Sequence, residues 1–287
     1  MKIVHSISDL CKFLGNINKK ISFVPTMGSL HNGHLKLVDL ARETKNFVVV
    51  SIFVNRLQFG PNEDFDKYPR SIDNDINILA NHAKTDLVFV PNEKEIYPEL
   101  QNFYINPPKE LGSILEGEIR KGFFVGVCTV LMKLFSLIKP DVLILGKKDY
   151  QQLIVVRNMC KQFLLPIDVI GHEIVRNEAG LAFSSRNKYL DRYQIVAASM
   201  LHRVISNIKQ QILKNNYTSR NDLLVLESEA ISKLEKHEWL VNYITVRKQS
   251  DLSIPNEDDL SCITKVPLVI LGAAYLGDVR LIDNLEI

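Results

Sequence analysis

The sequence predicts an α/β fold: a parallel sheet covered by helices on both faces, followed by a smaller α+β unit. Three observations carry this. Short β-branched runs alternate with helical periodicity through the first two-thirds of the chain. The strand runs are continuously apolar, as strands buried on both faces must be. After about residue 176 the texture changes, and charge-laced helical stretches precede strands. A chain of 287 residues is long enough to bury its cores without a disulfide or metal staple.

ISFVP (21–25) predicts a buried strand, followed by a glycine-containing loop and a helix over about 33–43. FVVVSIFV (47–54) predicts the second strand, and over 71–82 Ile72, Ile76 and Leu79 share one helical face. LVFV (87–90) is the third strand. Between 123 and 138, Val127, Val130, Leu131, Leu134, Phe135 and Ile138 recur at three- and four-residue steps, as in a helix packed on a sheet. DVLILG (141–146) is a fourth strand, with a helix near 150–163 and a strand around 167–175. Beyond it SSRNKYLD reads as a turn, 191–236 as helical, and NYITVRK (242–248), PLVILGA (267–273) and the VRLIDNL end as strands. Domains are expected at 1–177 and 178–287.

Composition narrows the partners. Lys+Arg 35 against Asp+Glu 33 gives a net charge of +2, without the basic excess of a dedicated nucleic-acid binder. The four cysteines, Cys11, Cys128, Cys160 and Cys262, are widely spaced, which predicts reduced structural thiols. MKIVHSISDLCKFL is too polar for a secretory signal. The most apolar stretch, 123–138, carries Lys133 and falls short of the roughly 20 residues a membrane span needs. A soluble, cytoplasmic protein is expected.

The chemistry concentrates at strand ends. TMGSLHNGH (26–34) joins the first strand to its helix, where ligands of open parallel sheets sit. Gly28 and Gly33 permit close backbone approach, and His31 and His34, three apart, face one site. Beside a helix N-terminus such imidazoles suit phosphate oxygens and a departing pyrophosphate. The same spacing also fits two solvated histidines or an incomplete metal pair. No G-x-G-x-x-G follows the first strand, and Asp141 stands where a Walker A loop needs its first glycine, so the usual phosphate loops are excluded. Lys148, just past the fourth strand, is an electrostatic clamp or a solvated charge. Asp149 beside it is a ribose or magnesium–phosphate partner, or a helix cap. Asn55 and Gln58 after the second strand, and Gln151 and Gln152 after the fourth, have the neutral donors and acceptors that orient a hydroxy acid. GLAFSSRN (180–187) suits a mobile phosphate clamp or a plain serine-rich connector.

Taken together, PTMGSLHNGHLKLV, SIFVN-x-LQF, NEDFDKYPR, GKKDYQQL, VRNEAGLAFSSRN and VRLIDN closely resemble the pantothenate synthetase (pantoate–β-alanine ligase) family of adenylate-forming nucleotidyltransferases. The motifs run in order over nearly the whole chain. The resemblance implies a Rossmann-like N-terminal domain that binds nucleotide and pantoate and a smaller C-terminal lid, a homodimer, and ATP used with Mg2+. It implies two steps: pantoate attacks the α-phosphorus of ATP to give pantoyl adenylate and pyrophosphate, then β-alanine displaces AMP. By position, Met27, Gly28, Ser29, Leu30, His31, Asn32, Gly33 and His34 form the nucleotide loop, with His34, assisted by His31, serving the departing pyrophosphate. Gly146, Lys147, Lys148 and Asp149 contact ATP, with Lys148 on the phosphates; Val175 lies against adenine, and Phe183, Ser184, Ser185 and Arg186 close over the triphosphate. Gln58 and Gln152 hold pantoate, and Gln58 also lies near β-alanine. Asp73 and Asp75 are offered as metal partners or helix N-terminal charges.

Four positions depart from the family pattern. Arg56 replaces a usual Pro, Phe123 and Val125 fall in a segment that usually reads His-Phe-x-Gly-Val, and Lys147 replaces a usual Glu. Arg120 is kept and is expected near β-alanine or phosphate. These changes are expected to alter affinity or pH dependence rather than abolish the reaction. The alternatives are another His-x-Gly-His transferase or a catalytically weakened nucleotide-binding regulator. An aminoacyl-tRNA ligase shares the chemistry but would need a basic surface for tRNA.

Overall fold

Runs such as FVVVSI pair side by side because β-branched residues fit a pleated surface and here bury both faces. The structure, a computed structural model, describes every residue except 62, 64, 83–84, 216–218 and 262–265. In chain order the first part contains β1 (Lys2–Val4), α1 (Ile7–Leu14), β2 (Ile21–Thr26), α2 (Asn32–Glu43), β3 (Phe47–Ile52), a 3-10 turn (Arg56–Gln58), α3 (Ile72–His82) and β4 (Leu87–Phe89). It continues with the short helices α4 (Glu93–Ile96), α5 (Lys109–Gly112) and α6 (Glu116–Ile119). Then come α7 (Phe123–Ile138), β5 (Val142–Gly146), a 3-10 turn (Lys147–Asp149), α8 (Tyr150–Gln162) and β6 (Asp168–His172).

All six strands run parallel in the order β1-β4-β3-β2-β5-β6. Phe23, Val24, Val48, Val49, Val50 and Phe89 are wholly buried, which is why these runs show no alternation. From β2 the chain first winds outward through β3 and later returns to place β5 on its other side. The carboxyl ends of β2 and β5 therefore flank a topological switch point, where such sheets receive ligands.

The structure differs from the sequence-based expectation in its details. β1 and α1 were not anticipated: a three-residue strand has no periodicity to read, and α1 starts from the Ser6 cap, which accepts from the Asp9 N–H. The helical face at 72–79 is rotated. Ile72 is 43 % exposed, while Asp75 is fully buried beside Leu79. The strand expected over 167–175 ends at His172; Val175 instead accepts from the Phe183 N–H across an Arg176–Ala182 bridge, in a turn closed by Asn177.

The chain divides into two compact units, 1–147 with 151–173, and 148–150 with 174–287. The second unit holds a 3-10 turn (Ser185–Tyr189), α9 (Arg192–Lys214), α10 (Arg220–Glu235), β7 (Trp239–Lys248), α11 (Glu257–Ser261), β8 (Leu268–Leu276) and β9 (Val279–Glu286). Its sheet is antiparallel, β7-β8-β9. Capping boxes start both long helices, Asp191 with Gln194 and Ser219 with Asp222. Their apolar stripes bury Leu201, Ile205, Leu223 and Leu234 in one core with Ile270 and Ala274. Cys128 and Cys160 are buried free thiols and Cys11 is an exposed one; Cys262, like Asn62 and Asp64 of the NEDFDKYPR motif, lies outside the described residues. Among the described residues no helix is long and apolar enough to cross a membrane.

Candidate active site

The loop between β2 and α2 is held from below. Gly28 (φ 81) and Ser29 (φ 51) are both left-handed, which turns two successive backbone N–H groups inward. The Ser29 and Leu30 N–H groups donate to the two oxygens of Asp75, each at 2.8 Å. Gly28 is required twice over: its φ favours glycine, and a Cβ there would stand 3.0 Å from Asp75 Oδ2 and 3.1 Å from Ile52 Cγ2. His31 then caps α2, its Nδ1 accepting from the Gly33 N–H at 3.1 Å, which leaves Nε2 to carry the proton of the neutral ring. The His31 and His34 rings lie 4.1 Å apart, so the pair does share one place, at a helix N-terminus with no acidic residue in its first turn. Opposite partial charge at such a terminus favours an anion.

The Gln58 turn, after β3, is fixed by a chain of hydrogen bonds whose direction can be worked out. The Gly126 carbonyl can only accept, so the Asn55 atom 3.1 Å from it is Nδ2. Tyr97 donates to Asn55 Oδ1 at 2.8 Å. Burial, with Glu93 and Tyr104 nearby, pushes the Tyr97 phenol well above its usual value, so it remains a donor. Asn55 Nδ2 also donates to Gln58 Oε1 at 3.0 Å, which turns Gln58 Nε2 toward Met27 Sδ, 3.0 Å away. Gln58 therefore offers a donor beside the nucleotide loop, as a carboxylate or hydroxyl acceptor would need. Asn55, 1 % exposed and with both amide ends engaged, orients Gln58 rather than ligand.

Gln151 and Gln152 separate in the same way. Gln151 is buried and spent on Leu111 O, Ile114 O and the Glu116 N–H, a structural role. Gln152 is half-buried one position on. In the second unit, Lys148 Nζ lies 3.7 Å from Asp149 Oδ2, and the Lys148 carbonyl accepts from Asn284. Ser184 caps the turn containing Ser185 and Arg186, and Asn187 donates to the Ala182 carbonyl. Arg176 makes a fork to buried Asp283, at 2.6 and 2.7 Å, which pins the start of this segment to β9.

Comparison with known proteins decides the family. The pantoate–β-alanine ligase family model matches residues 2–286. The chain belongs to the pantoate–β-alanine ligase family. A crystal structure of this ligase from Thermus thermophilus is 37 % identical, with a TM-score of 0.90 over 100 % of this chain and 99 % of that one. The ligase from Francisella tularensis, crystallised with β-γ ATP and β-alanine, is 34 % identical, with a TM-score of 0.77 over 99 % and 97 %.

Within this member of the family, the departures from the usual pattern have physical partners. Arg56 pairs with Glu93 at 2.9 Å and lies 4.0 Å over the Phe65 ring, with Arg70 4.9 Å from that ring as well. Phe65, Arg70, Met27, Gly28 and Glu93 help line a cavity of about 180 Å³. Phe123 is a platform for Arg120, whose guanidinium sits 3.8 Å over it. Lys147 pairs with Glu173. Val125 is half-buried in the first turn of α7, and nothing in the structure explains its choice.

Arg120, expected near β-alanine or phosphate, is held beside the Gln58 turn. Its Nε and Nη2 bind both oxygens of Glu63, at 2.8 and 2.6 Å, and Nη2 also donates to the Gln58 carbonyl at 3.3 Å. Its charge is matched by Glu63, and it reaches the Gln58 turn. Asp75 is likewise engaged by the loop, not disposed toward a metal, while Asp73 is exposed. Asp75 had a legible signal: it stands on the stripe four residues before Leu79, where an apolar residue was due.

Proposed function

We propose that this chain condenses pantoate with β-alanine, cleaving ATP to AMP and pyrophosphate through a pantoyl adenylate. Family membership supports the reaction, as does the Francisella relative crystallised with β-γ ATP and β-alanine. The observation that carries the reading is the contact of Gln58 Nε2 with Met27 Sδ, which sets an amide suited to orienting a carboxylate beside the first residue of the nucleotide loop.

In the first step a pantoate carboxylate oxygen forms a bond to the α-phosphorus, and the bond from that phosphorus to the bridging oxygen of pyrophosphate breaks. In the second, the β-alanine amine attacks the acyl carbon, loses a proton, and AMP departs. Positioning and charge stabilisation are what such steps demand of a protein. Residues 27–34, 146–149, Val175 and 183–186 are assigned to ATP, with His34, His31 and Lys148 stabilising the departing pyrophosphate. Gln58 and Gln152 are assigned to pantoate, and Gln58 also to β-alanine. Residues 1–177 are the nucleotide- and pantoate-binding domain and 178–287 the lid, in a cytoplasmic homodimer.

Among the described residues no group of three acidic, histidine or cysteine side chains could cage a metal. Exposed Asp149 would be the carboxylate able to hold a Mg2+ ion bound with the triphosphate, while Lys148 beside it would meet the phosphates themselves. The ion would supply neutralisation of phosphate charge.

The reading is tested by supplying ATP, Mg2+, pantoate and β-alanine and following AMP. AMP formed in step with the amide, only when both acids are present, is expected. ADP formation, or nucleotide turnover indifferent to pantoate, would point to a different transferase.

A further inference from the structure

We propose that Asp75 is a positioning residue for catalysis: a buried carboxylate that holds the nucleotide loop in its binding shape from beneath. This rests on the reading that residues 27–34 receive ATP.

Asp75 is wholly inaccessible to bulk solvent. Its oxygens accept from the Ser29 and Leu30 N–H groups at 2.8 Å each, and Oδ1 also accepts from Ser71 Oγ at 3.2 Å. It lies in the first turn of α3, where the helix dipole offsets a buried negative charge. The two loop donors are consecutive because Gly28 and Ser29 are left-handed. For Ser29 that backbone conformation is costly and persists only where neighbours over-determine it. One residue further on, His31 caps α2 and starts the helix that carries His34.

The chain of cause therefore runs from Asp75 to the loop backbone, then to the cap, then to the two imidazoles. Asp75 touches no reacting atom in this account. It decides which way the loop's remaining donors face. The geometry also requires a carboxylate rather than any polar group of that size. All three partners donate, and an amide would set its own NH2 against one of them.

Asp75→Asn tests this with little change of volume. Kinetic constants for each substrate and the thermal midpoint would be measured, with His34→Ala in parallel. The expected result is an ATP KM raised by about tenfold or more, with the β-alanine KM within about twofold. A merely structural role would lower the midpoint and the active fraction and leave the ATP KM where it was. Ser71→Ala, which removes one of the three donors, is the milder variant and carries the test if Asp75→Asn does not fold; a smaller rise confined to the ATP KM is expected. An ATP KM equal to the parent's in both variants, or in Ser71→Ala alone when the other is unfolded, overturns the proposal. His34→Ala separates the two levels: if it too is without effect, the loop's assignment to ATP has failed, and not just the role of Asp75.

Discussion

A methyl group on Gly126 would stand 2.2 Å from the carbonyl oxygen of Leu57, so helix α7 touches the backbone of the Gln58 turn directly. The clash would be with backbone, which a rotamer change does not relieve. Gly126→Ala is expected to cost about 1–3 kcal/mol of stability. It should raise the pantoate KM through the displaced Gln58. Chemical denaturation and steady-state kinetics check this, and an unchanged pantoate KM would mean that the turn tolerates the shift.

Tyr97 was not singled out in the sequence, yet its hydroxyl sets the orientation of Asn55 and through it of Gln58. Tyr97→Phe leaves a buried Asn55 oxygen without its donor, at a cost of about 1–3 kcal/mol. Weaker pantoate binding with an unaltered ATP KM is expected. Equal loss for both substrates would indicate general loosening instead.

Phe123→His restores the residue usual in the family but changes the platform under Arg120. Turnover is expected to stay within about threefold of the parent, because a face-on cation–π contact is a modest interaction. Measured kcat across neutral pH checks it. A large gain would mean that the native residue impairs the site.

For Asp283, burial pushes the carboxyl up, but His202 and Arg176 pull it further down, and its value lies below the ordinary one. The pair thus stabilises the fold above the unfolded carboxylate's value, about pH 4, and loses that contribution as pH falls through the lower folded value. Asp283→Asn, which leaves Arg176 uncompensated, is expected to cost about 3–5 kcal/mol near neutrality. The difference from the parent should shrink in acid. Urea midpoints between neutral and acid pH read this directly, and a difference constant over the whole range would contradict it.

Burial raises the Cys128 thiol to about 12, with Cys160 adding to it, and raises Cys160 to about 11. Both remain protonated in the native protein and react slowly. Exposed Cys11 should be alkylated before Cys128 and Cys160 at neutral pH, and peptide mass mapping distinguishes the sites. Labelling of Cys128 as fast as Cys11 would show that α7 opens readily.

The sheet was legible because its strands are continuous β-branched runs, and the two histidines were legible because a spacing of three on a strand–loop–helix junction places them together. What the sequence hid was bonding that depends on distant segments. Asn55, Gln58 and Gln151 are alike as residue types, but only Gln58 turns a donor toward the nucleotide loop, because Tyr97 and Gly126 lie across from Asn55. Glu63 could not be matched to Arg120 by spacing, being 57 residues away. Asp75 was read by its charge when its place on the buried stripe was the better guide.

Pyrophosphate–ATP exchange with Mg2+ and pantoate, in the absence of β-alanine, tests the central claim most directly. The account predicts exchange that requires pantoate and collapses in His34→Ala, because the adenylate forms before the amine is needed. ATP binding without exchange, under the same conditions, would contradict it.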